Sequence, residues 1–276
     1  MAIEERVYSL TASQEASSKV LEEYTRQSLE ARERYPTYLG QQYGARPEEC
    51  IDLFVPEKKG SVPFVAFFHG GWWKANNRIS RAFLAEEYVK RGIGFASIGY
   101  PLAPEHQIGS IVASAQSALR WLHTNAKSFG LDASRIVLAG NSAGAHLATM
   151  VGSANSLSQA GVPSDAISGI IAISGLYDLR PLAGTFVEEW MQLDDKVISD
   201  FSPIHHLPPS SVPMMLVAGK QEPEGFNQQM AEYAGALSNA GHSVTAKTMD
   251  GHSHFSIIGE LGRPGTALFD FVQAQI

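Results

Sequence analysis

Short apolar runs recur along most of the chain, and longer amphipathic stretches separate them. Continuous apolar runs are typical of strands that a sheet buries on both faces, whereas apolar positions recurring every three or four residues indicate helices. The predicted strands are Cys50–Val55, Phe64–Phe68, Gly94–Ile98, Arg135–Ala139, Ile167–Ser174, Met214–Ala218 and Ser243–Met249. The predicted helices are Ile79–Arg91, Ile108–Phe129, Ala143–Ala154, Phe226–Ala240 and Ala267–Gln275.

The alternation of strands and helices predicts the α/β class, with a mostly parallel central sheet and helices on both faces. In such sheets, ligands bind beyond the carboxyl ends of the strands. The residues that follow each predicted strand are therefore the candidates for a functional site.

Residues 1–48 have a different pattern. The stretch Ser13–Tyr35 reads as a charged helix that Pro36 stops, and Tyr38–Glu49 is polar and is expected to be irregular. We therefore predict an N-terminal helical segment, residues 1–48, and a catalytic α/β domain, residues 49–276. The N-terminal helix either covers the site as a lid or packs on the edge of the sheet.

Composition excludes several classes of protein. Apolar residues make up 44% and charged residues 18% of 276 residues, enough for one large α/β domain. The net charge of −7 argues against nucleic acid or an anionic membrane surface as a partner. No stretch approaches the ~20 apolar residues of a membrane span, and the N-terminus, with Glu4 and Glu5, has no signal-peptide core. We expect a soluble cytoplasmic protein with its single cysteine, Cys50, buried and unpaired.

The first chemical motif follows the strand Arg135–Ala139. Gly140-Asn141-Ser142-Ala143-Gly144 has the G-x-S-x-G pattern, and a predicted helix begins directly after it. This strand–turn–helix setting is the one in which such a serine projects above the sheet as a nucleophile. The turn is sharp, so positions 140 and 144 must lack side chains. Ser142 is the predicted nucleophile.

A second glycine-rich turn ends the strand Phe64–Phe68. Acyl transfer creates an oxyanion, which backbone N–H groups must stabilise. The N–H groups of Gly71 and Trp72, together with that of Ala143, are the predicted oxyanion hole. His69 is expected to fix this loop rather than to act as a base.

The general base is expected after the last core strand, because the triad order on this fold is serine, acid, histidine. His254, next to Phe255, is preferred, and His252 is the alternative. The acid is expected after the strand Met214–Ala218. Glu222 is preferred there, with Glu224 second, and Asp178, after the preceding strand, third.

These motifs resemble the kynurenine formamidase-like branch of the α/β-hydrolase fold, near the hormone-sensitive-lipase type esterases. The similar stretches are HGGWW at 69–73, SGLYDLRPL at 174–182, GKQEPEGF at 219–226 and HF at 254–255, while YPLAPEH at 100–106 resembles the esterases equally. The resemblance places the catalytic acid on Glu222 and the base on His254. The chain departs from the pattern with Glu222 where Asp is usual and with Asn141 before the nucleophile.

The sequence thus predicts a serine hydrolase that cleaves a small amide or ester, most like an aryl formamidase. The alternatives are a carboxylesterase of small apolar esters and a non-catalytic binding protein on the same fold. No metal or organic cofactor is expected. The partner is a small-molecule substrate with an aromatic or apolar part, and the oligomeric state stays open.

Trp73 and Tyr177 are expected to line the substrate pocket, together with Trp72, Phe186 and Trp190. The insertion Pro181–Asp200 either covers the site or packs on the sheet edge.

Overall fold

The computed structural model of the chain describes residues 7–35, 37–57 and 60–276. Glu4 and Glu5, which bear on the signal-peptide prediction, and Pro36, which was expected to stop the first helix, lie outside these residues. Within them, eight strands form one sheet in the order β1-β2-β4-β3-β5-β6-β7-β8. The strands are β1 Thr37–Gln42, β2 Cys50–Phe54, β3 Val62–Phe68, β4 Gly94–Ile98, β5 Leu131–Asn141, β6 Ile167–Ile173, β7 Met214–Gly219 and β8 Val244–Met249.

The sheet is mostly parallel. Strand β2 pairs antiparallel with both β1 and β4, and every other neighbouring pair is parallel. Parallel strands need crossover connections, which the helices supply on both faces of the sheet. This architecture confirms the predicted fold class.

The helices cover two apolar cores, one on each face. They are α1 Thr11–Ala16, α2 Ser18–Arg34, α3 Ala85–Lys90, α4 Ile108–Asn125, α5 Ala143–Val151, α6 Ala154–Ala160, α7 Asp195–Phe201, α8 Glu224–Asn239 and α9 Ala267–Gln275. Side chains alternate across strand β3, so Phe64, Ala66 and Phe68 enter one core while Val65 and Phe67 enter the other. None of these helices is both long and apolar enough to cross a membrane.

Three predicted helices are divided in the structure. The stretch Ile79–Arg91 begins with the 3₁₀ turn Arg78–Leu84 before α3, and Ile108–Phe129 ends with the 3₁₀ turn Ala126–Phe129 after α4. The stretch Ala143–Ala154 ends as α5 at Val151, and Ser153 then starts α6 by accepting a hydrogen bond from the Ser156 N–H at 3.3 Å. Apolar periodicity alone does not mark such breaks.

The segment Tyr38–Glu49 was expected to be irregular, and this is wrong for its first part. Strand β1, Thr37–Gln42, pairs with β2 at the edge of the sheet. Its residues are mostly exposed and polar, so it lacks the apolar run on which strand prediction depends. Strand β8, predicted as fully buried, is the other edge and is also mostly exposed.

The predicted helix Ser13–Tyr35 is two helices, α1 and α2, that separate at Ser17. Helix α2 packs on the 3₁₀ turn Arg78–Leu84, with the Tyr24 ring stacked on Phe83 at a centroid distance of 4.2 Å. The Ser28 hydroxyl accepts a hydrogen bond from the Phe83 N–H at 3.2 Å. The N-terminal segment is therefore joined to the α/β domain by both a helix and a strand.

A buried carboxylate connects these parts. Asp52 of strand β2 is fully buried and accepts hydrogen bonds from Arg32 of α2, from Arg78 at 2.9 Å and from the Gly40 N–H at 2.8 Å. A carboxylate in such a position is stable only with all its partners, and removing one side of a buried ion pair typically costs several kcal/mol. Asp52 therefore holds helix α2, strand β1 and the 3₁₀ turn in one arrangement.

We expect Asp52→Ala to lower the free energy of unfolding by about 3 kcal/mol, because two partly buried guanidinium groups lose their counter-charge. Urea denaturation measures this difference. Asp250→Ala is the matched control, since Asp250 pairs with Lys220 at 2.8 Å on the exposed surface and should change stability little. Equal effects of the two substitutions would contradict the role given to Asp52.

Candidate active site

The turn between β5 and α5 holds Ser142 in a strained conformation. Its φ of 55° and ψ of −124° lie where non-glycine residues rarely occur. The Ser142 N–H donates to the Ile173 carbonyl at the end of strand β6 at 2.7 Å, and its own carbonyl accepts from the Ala145 and His146 N–H groups. These bonds fix the serine above the carboxyl edge of the sheet.

The two glycines of the motif allow this turn, as the sequence predicts. A Cβ atom on Gly140 would lie 2.2 Å from the Gly144 carbonyl oxygen, and one on Gly144 would lie 2.0 Å from the Phe68 carbonyl oxygen. Both distances are too short for any side chain. The turn therefore excludes every residue except glycine at both positions.

The loop after strand β3 has three consecutive residues with positive φ, namely Gly71 at 123°, Trp72 at 54° and Trp73 at 55°. The Gly71 carbonyl accepts from the Lys74 and Ala75 N–H groups, each at 2.9 Å. The Trp190 indole donates to the Trp72 carbonyl at 3.1 Å. These hydrogen bonds offset the cost of backbone strain, about 1–3 kcal/mol for each of the two tryptophans.

This loop is also tied to the serine turn. The Gly70 N–H donates to the Asn141 side-chain oxygen at 3.1 Å. By contrast, the N–H groups of Gly71, Trp72 and Ala143 donate no hydrogen bond to any of the residues described. Free N–H groups near a helix N-terminus are the arrangement that stabilises an anion.

His254 and Glu222 form a buried pair. His254 Nδ1 donates to Glu222 Oε2 at 2.7 Å, and both side chains are almost inaccessible to solvent. The other carboxylate oxygen, Oε1, accepts from the Ser174 hydroxyl at 2.6 Å and from the Gly219 N–H. The Phe226 ring packs on the His254 imidazole at a centroid distance of 4.4 Å. The carboxylate is thus held in one orientation by three donors.

Ser142 and His254 line the same cavity, which has a volume of about 260 Å³. Gly71 and Trp72 of the glycine loop line it as well, and Phe255 adds an apolar wall. A serine, an imidazole with a fixed carboxylate, and free N–H groups are the parts that acyl transfer requires.

Comparisons with known proteins identify the family. A family model described as BD-FAE matches residues 51–237, more than half of the chain. The chain belongs to the BD-FAE family. It is 33% identical over 239 residues to the kynurenine formamidase of Danio rerio, covering 84% of this chain and 79% of that protein. A match to the isoprenylcysteine α-carbonyl methylesterase of Arabidopsis thaliana is 34% identical but covers only 38% of this chain and 25% of that protein.

A structural neighbour supports the same placement. The crystal structure of a protein from Silicibacter sp. TM1040, assigned as a thioesterase, has a TM-score of 0.82 and 25% identity, and the match covers 97% of each chain. These findings confirm the resemblance that the motifs indicated. This BD-FAE chain is a hydrolase of the α/β-hydrolase fold, in the kynurenine formamidase-like branch.

The alternatives for base and acid lie elsewhere. His252 is half-buried and faces Glu260, with 3.8 Å between its Nε2 and a carboxylate oxygen. Glu224 is exposed at the start of α8 and accepts from Gln228 at 3.0 Å. Asp178 accepts the Arg180 N–H at 2.8 Å. None of the three forms a hydrogen bond or an ion pair with His254.

Trp73 and Tyr177 do not line the cavity, contrary to expectation. Trp73 is fully buried and meets the His146 ring edge-on at 5.0 Å, while Tyr177 stacks on Tyr233 at 4.4 Å. Both belong to the core. Trp73 follows Trp72 in the tight turn, where consecutive side chains point in different directions, and Trp72 is the one that reaches the cavity. Residue type alone does not give that direction.

The aromatic residues of the insertion have a supporting position. Phe186 meets Trp72 edge-on at 5.3 Å, and Trp190 donates its indole N–H to the same residue's carbonyl. Neither of them lines the cavity. The insertion therefore packs against the glycine loop that carries Trp72.

Two buried histidines are neutral at physiological pH. Burial lowers the pKa of His69 to about 3 and that of His146 to about 4. The His69 ring stacks on Tyr100 at 4.2 Å, and its Nδ1 bonds the adjacent Gly70 carbonyl at 2.9 Å. His69 thus fixes the glycine loop, in agreement with the sequence-based expectation.

Three residues at the site were not assigned a role from sequence. Ser174, with a φ of 50°, holds the Glu222 carboxylate, Asn141 ties the two glycine turns together, and Arg81 lines the cavity. Ser174 stands at the end of a predicted strand, where functional residues are expected, and that position was the available signal. Within the described ranges, no cluster of His, Cys, Asp or Glu side chains could hold a metal ion.

We expect Gly144→Ala to lower the free energy of unfolding by about 3 kcal/mol or more, since its Cβ would overlap the Phe68 carbonyl. Gly235→Ala is the matched control. Gly235 lies within helix α8 with open space around its Cα, and alanine there should raise the free energy of unfolding by roughly 0.5–1 kcal/mol. Urea denaturation of both variants checks this, and a neutral Gly144→Ala would show that the turn can relax.

Proposed function

We propose that this hydrolase cleaves a small amide of the aryl formamide type by a Ser142–His254–Glu222 triad. The observation that supports the proposal most strongly is the buried 2.7 Å hydrogen bond between His254 and Glu222 beside the cavity that Ser142 lines. A carboxylate fixed on one imidazole nitrogen leaves the other nitrogen free to accept a proton.

In the proposed mechanism, His254 Nε2 removes the proton of the Ser142 hydroxyl while Ser142 Oγ attacks the substrate carbonyl. The carbonyl π-electrons move to oxygen, and the resulting oxyanion binds the N–H groups of Gly71, Trp72 and Ala143. The tetrahedral intermediate then collapses, the C–N or C–O bond breaks, and His254 returns its proton to the leaving amine or alcohol.

Water completes the cycle. His254 removes a proton from a water molecule, whose oxygen attacks the acyl-serine carbonyl, and a second tetrahedral intermediate forms. Its collapse breaks the bond to Ser142 Oγ, which regains the proton from His254 and releases the acid. Glu222 stays ionised throughout and stabilises the imidazolium that forms at each attack.

The size of the cavity supports a small substrate. A volume of about 260 Å³ is near the lower end for ligand pockets. Trp72 and Phe255 offer aromatic surface to an aryl group, and the Danio rerio relative is named a kynurenine formamidase. The second candidate is a carboxylesterase, which the partial match to the Arabidopsis methylesterase favours.

The N-terminal segment is proposed to cover the site. Leu10, Leu21 and Thr25 line the cavity together with Ser142. Because helix α2 is fastened to the domain by Tyr24, Ser28 and Arg32, this cover excludes water from one side of the reacting groups.

We expect the parent enzyme to hydrolyse N-formylkynurenine with a higher kcat/KM than p-nitrophenyl acetate. Ser142→Ala should lower kcat for both by at least about 10³-fold, because the oxyanion hole alone retains only a small part of the rate. Absorbance assays with both substrates measure this. Activity of Ser142→Ala within tenfold of the parent would reject the nucleophile, and a preference for the ester would favour the carboxylesterase.

We expect Glu222→Gln to lower kcat by about 10³–10⁴-fold, since a neutral amide no longer stabilises the imidazolium. Glu224→Gln is the matched control and should lower kcat only slightly, because that side chain is exposed.

His254→Ala should lower kcat as much as Ser142→Ala does, and the double variant of Ser142→Ala with His254→Ala should be little worse than either. His252→Ala should lower kcat much less. A larger loss of kcat from Glu224→Gln than from Glu222→Gln would overturn the assignment of the acid. A larger loss from His252→Ala than from His254→Ala would overturn that of the base.

A further inference from the structure

Arg81 is a buried cation in the wall of the proposed active site. It lies in the 3₁₀ turn Arg78–Leu84, lines the same cavity as Ser142 and His254, and is 4% exposed. Its Nη1 donates to the Ser80 carbonyl at 2.8 Å, and its Nε is buried without an acceptor among the described residues. A guanidinium has five donors, so most of its hydrogen-bonding capacity is unused.

The charge of Arg81 is also unpaired within the part of the chain that the structure describes, since no carboxylate there forms an ion pair with it. Arg78, three residues earlier in the same turn, has Asp52 as a partner. Burial lowers the pKa of Arg81 to about 10, and it therefore remains a cation at neutral pH.

A buried, unpaired charge costs several kcal/mol, and folded proteins normally pair such groups. The side chains that face Arg81 do not provide a counter-charge. Tyr24 and Tyr100 are neutral phenols whose pKa values are raised by burial, and His69 is a neutral imidazole. Among the described residues that line the cavity, Arg81 is the only one with a permanent charge.

We propose that Arg81 binds an anionic group of the substrate, a carboxylate on the part of a small amide or ester that is not cleaved. A guanidinium matches a carboxylate in planar, two-bond geometry. Ser142 and His254 line the same cavity of about 260 Å³, so a small molecule bound there can contact both Arg81 and the reacting groups. This inference rests on the proposed function and narrows its substrates to carboxylate-bearing ones.

The test compares matched substrates that differ only in the carboxylate. N-formylanthranilate and formanilide carry or lack it on the amine side, and mono-p-nitrophenyl glutarate and p-nitrophenyl butyrate do so on the acyl side. The parent should prefer the charged member of at least one pair. Arg81→Met should reduce that preference, measured as a ratio of kcat/KM values, by roughly 10- to 100-fold, as expected for loss of hydrogen bonds to a charged group. Arg81→Lys should give an intermediate ratio.

Arg135→Met is the matched control, since Arg135 pairs with Asp132 at 2.7 Å and does not line the cavity, and it should leave the ratio unchanged. A parent without preference, or an Arg81→Met variant that slows both members of a pair equally, would overturn the inference. In the latter case, Arg81 would support the fold or the reacting group.

A binding measurement separates this inference from the proposed function and covers the case in which Arg81→Met does not fold. Calorimetry with Ser142→Ala should show binding of benzoate and at least tenfold weaker binding of benzamide, without any need for turnover. Adding Arg81→Lys should weaken the binding of benzoate and leave that of benzamide unchanged, whereas benzoate held only by the N–H groups of Gly71, Trp72 and Ala143 would bind as before and would overturn the inference. Equal binding of benzoate and benzamide by Ser142→Ala would reject the carboxylate site. Hydrolysis retained by Ser142→Ala would reject the proposed nucleophile instead, whatever the result with benzoate.

Discussion

The turn at Ser142 has no room for a side chain at position 140 or 144, and this steric constraint determines the geometry of the site. Gly140 and Gly144 approach backbone atoms so closely that a Cβ at either position would overlap a carbonyl group. The serine between them accepts an unfavourable backbone conformation, which hydrogen bonds to β6 and α5 maintain. Because Gly144 lies directly against the end of strand β3, the same constraint fixes where the loop carrying Gly71 and Trp72 begins.

The order of the strands in the sheet determines where the other groups of the site lie relative to this turn. Strand β5 ends at Asn141, β6 is followed by Ser174, and β7 ends at Gly219, and these three strands are neighbours in the sheet. Ser174 and Gly219 hold one oxygen of Glu222, which leaves the other for His254. Residues distant in sequence meet here because parallel strands present their carboxyl ends on one side.

The sequence predicts the site well where local backbone geometry requires one residue type. It does not predict whether a given side chain points into the cavity or into the core. Gly140 and Gly144 are needed by the turn itself, so the motif predicts their close contacts. Trp73 and Tyr177 are aromatic residues near the site, yet the backbone turns them into the core. Strand β1 is polar because it is an edge, and apolar patterning therefore missed it. Glu222 follows strand β7 at the carboxyl edge of the sheet, and there it accepts a hydrogen bond from His254.

The buried charged side chains differ in how many hydrogen-bond partners the protein gives them. Asp52 is surrounded by donors from three elements, so its burial stabilises the fold. Glu222 has three donors as well, one of which is His254, and it holds that imidazole in place. Among the described residues, Arg81 has one hydrogen-bond partner, the Ser80 carbonyl, and it lines the cavity. The described residues give Asp52 and Glu222 three donors each and leave Arg81 without a counter-charge, an arrangement suited to a ligand that brings this counter-charge with it.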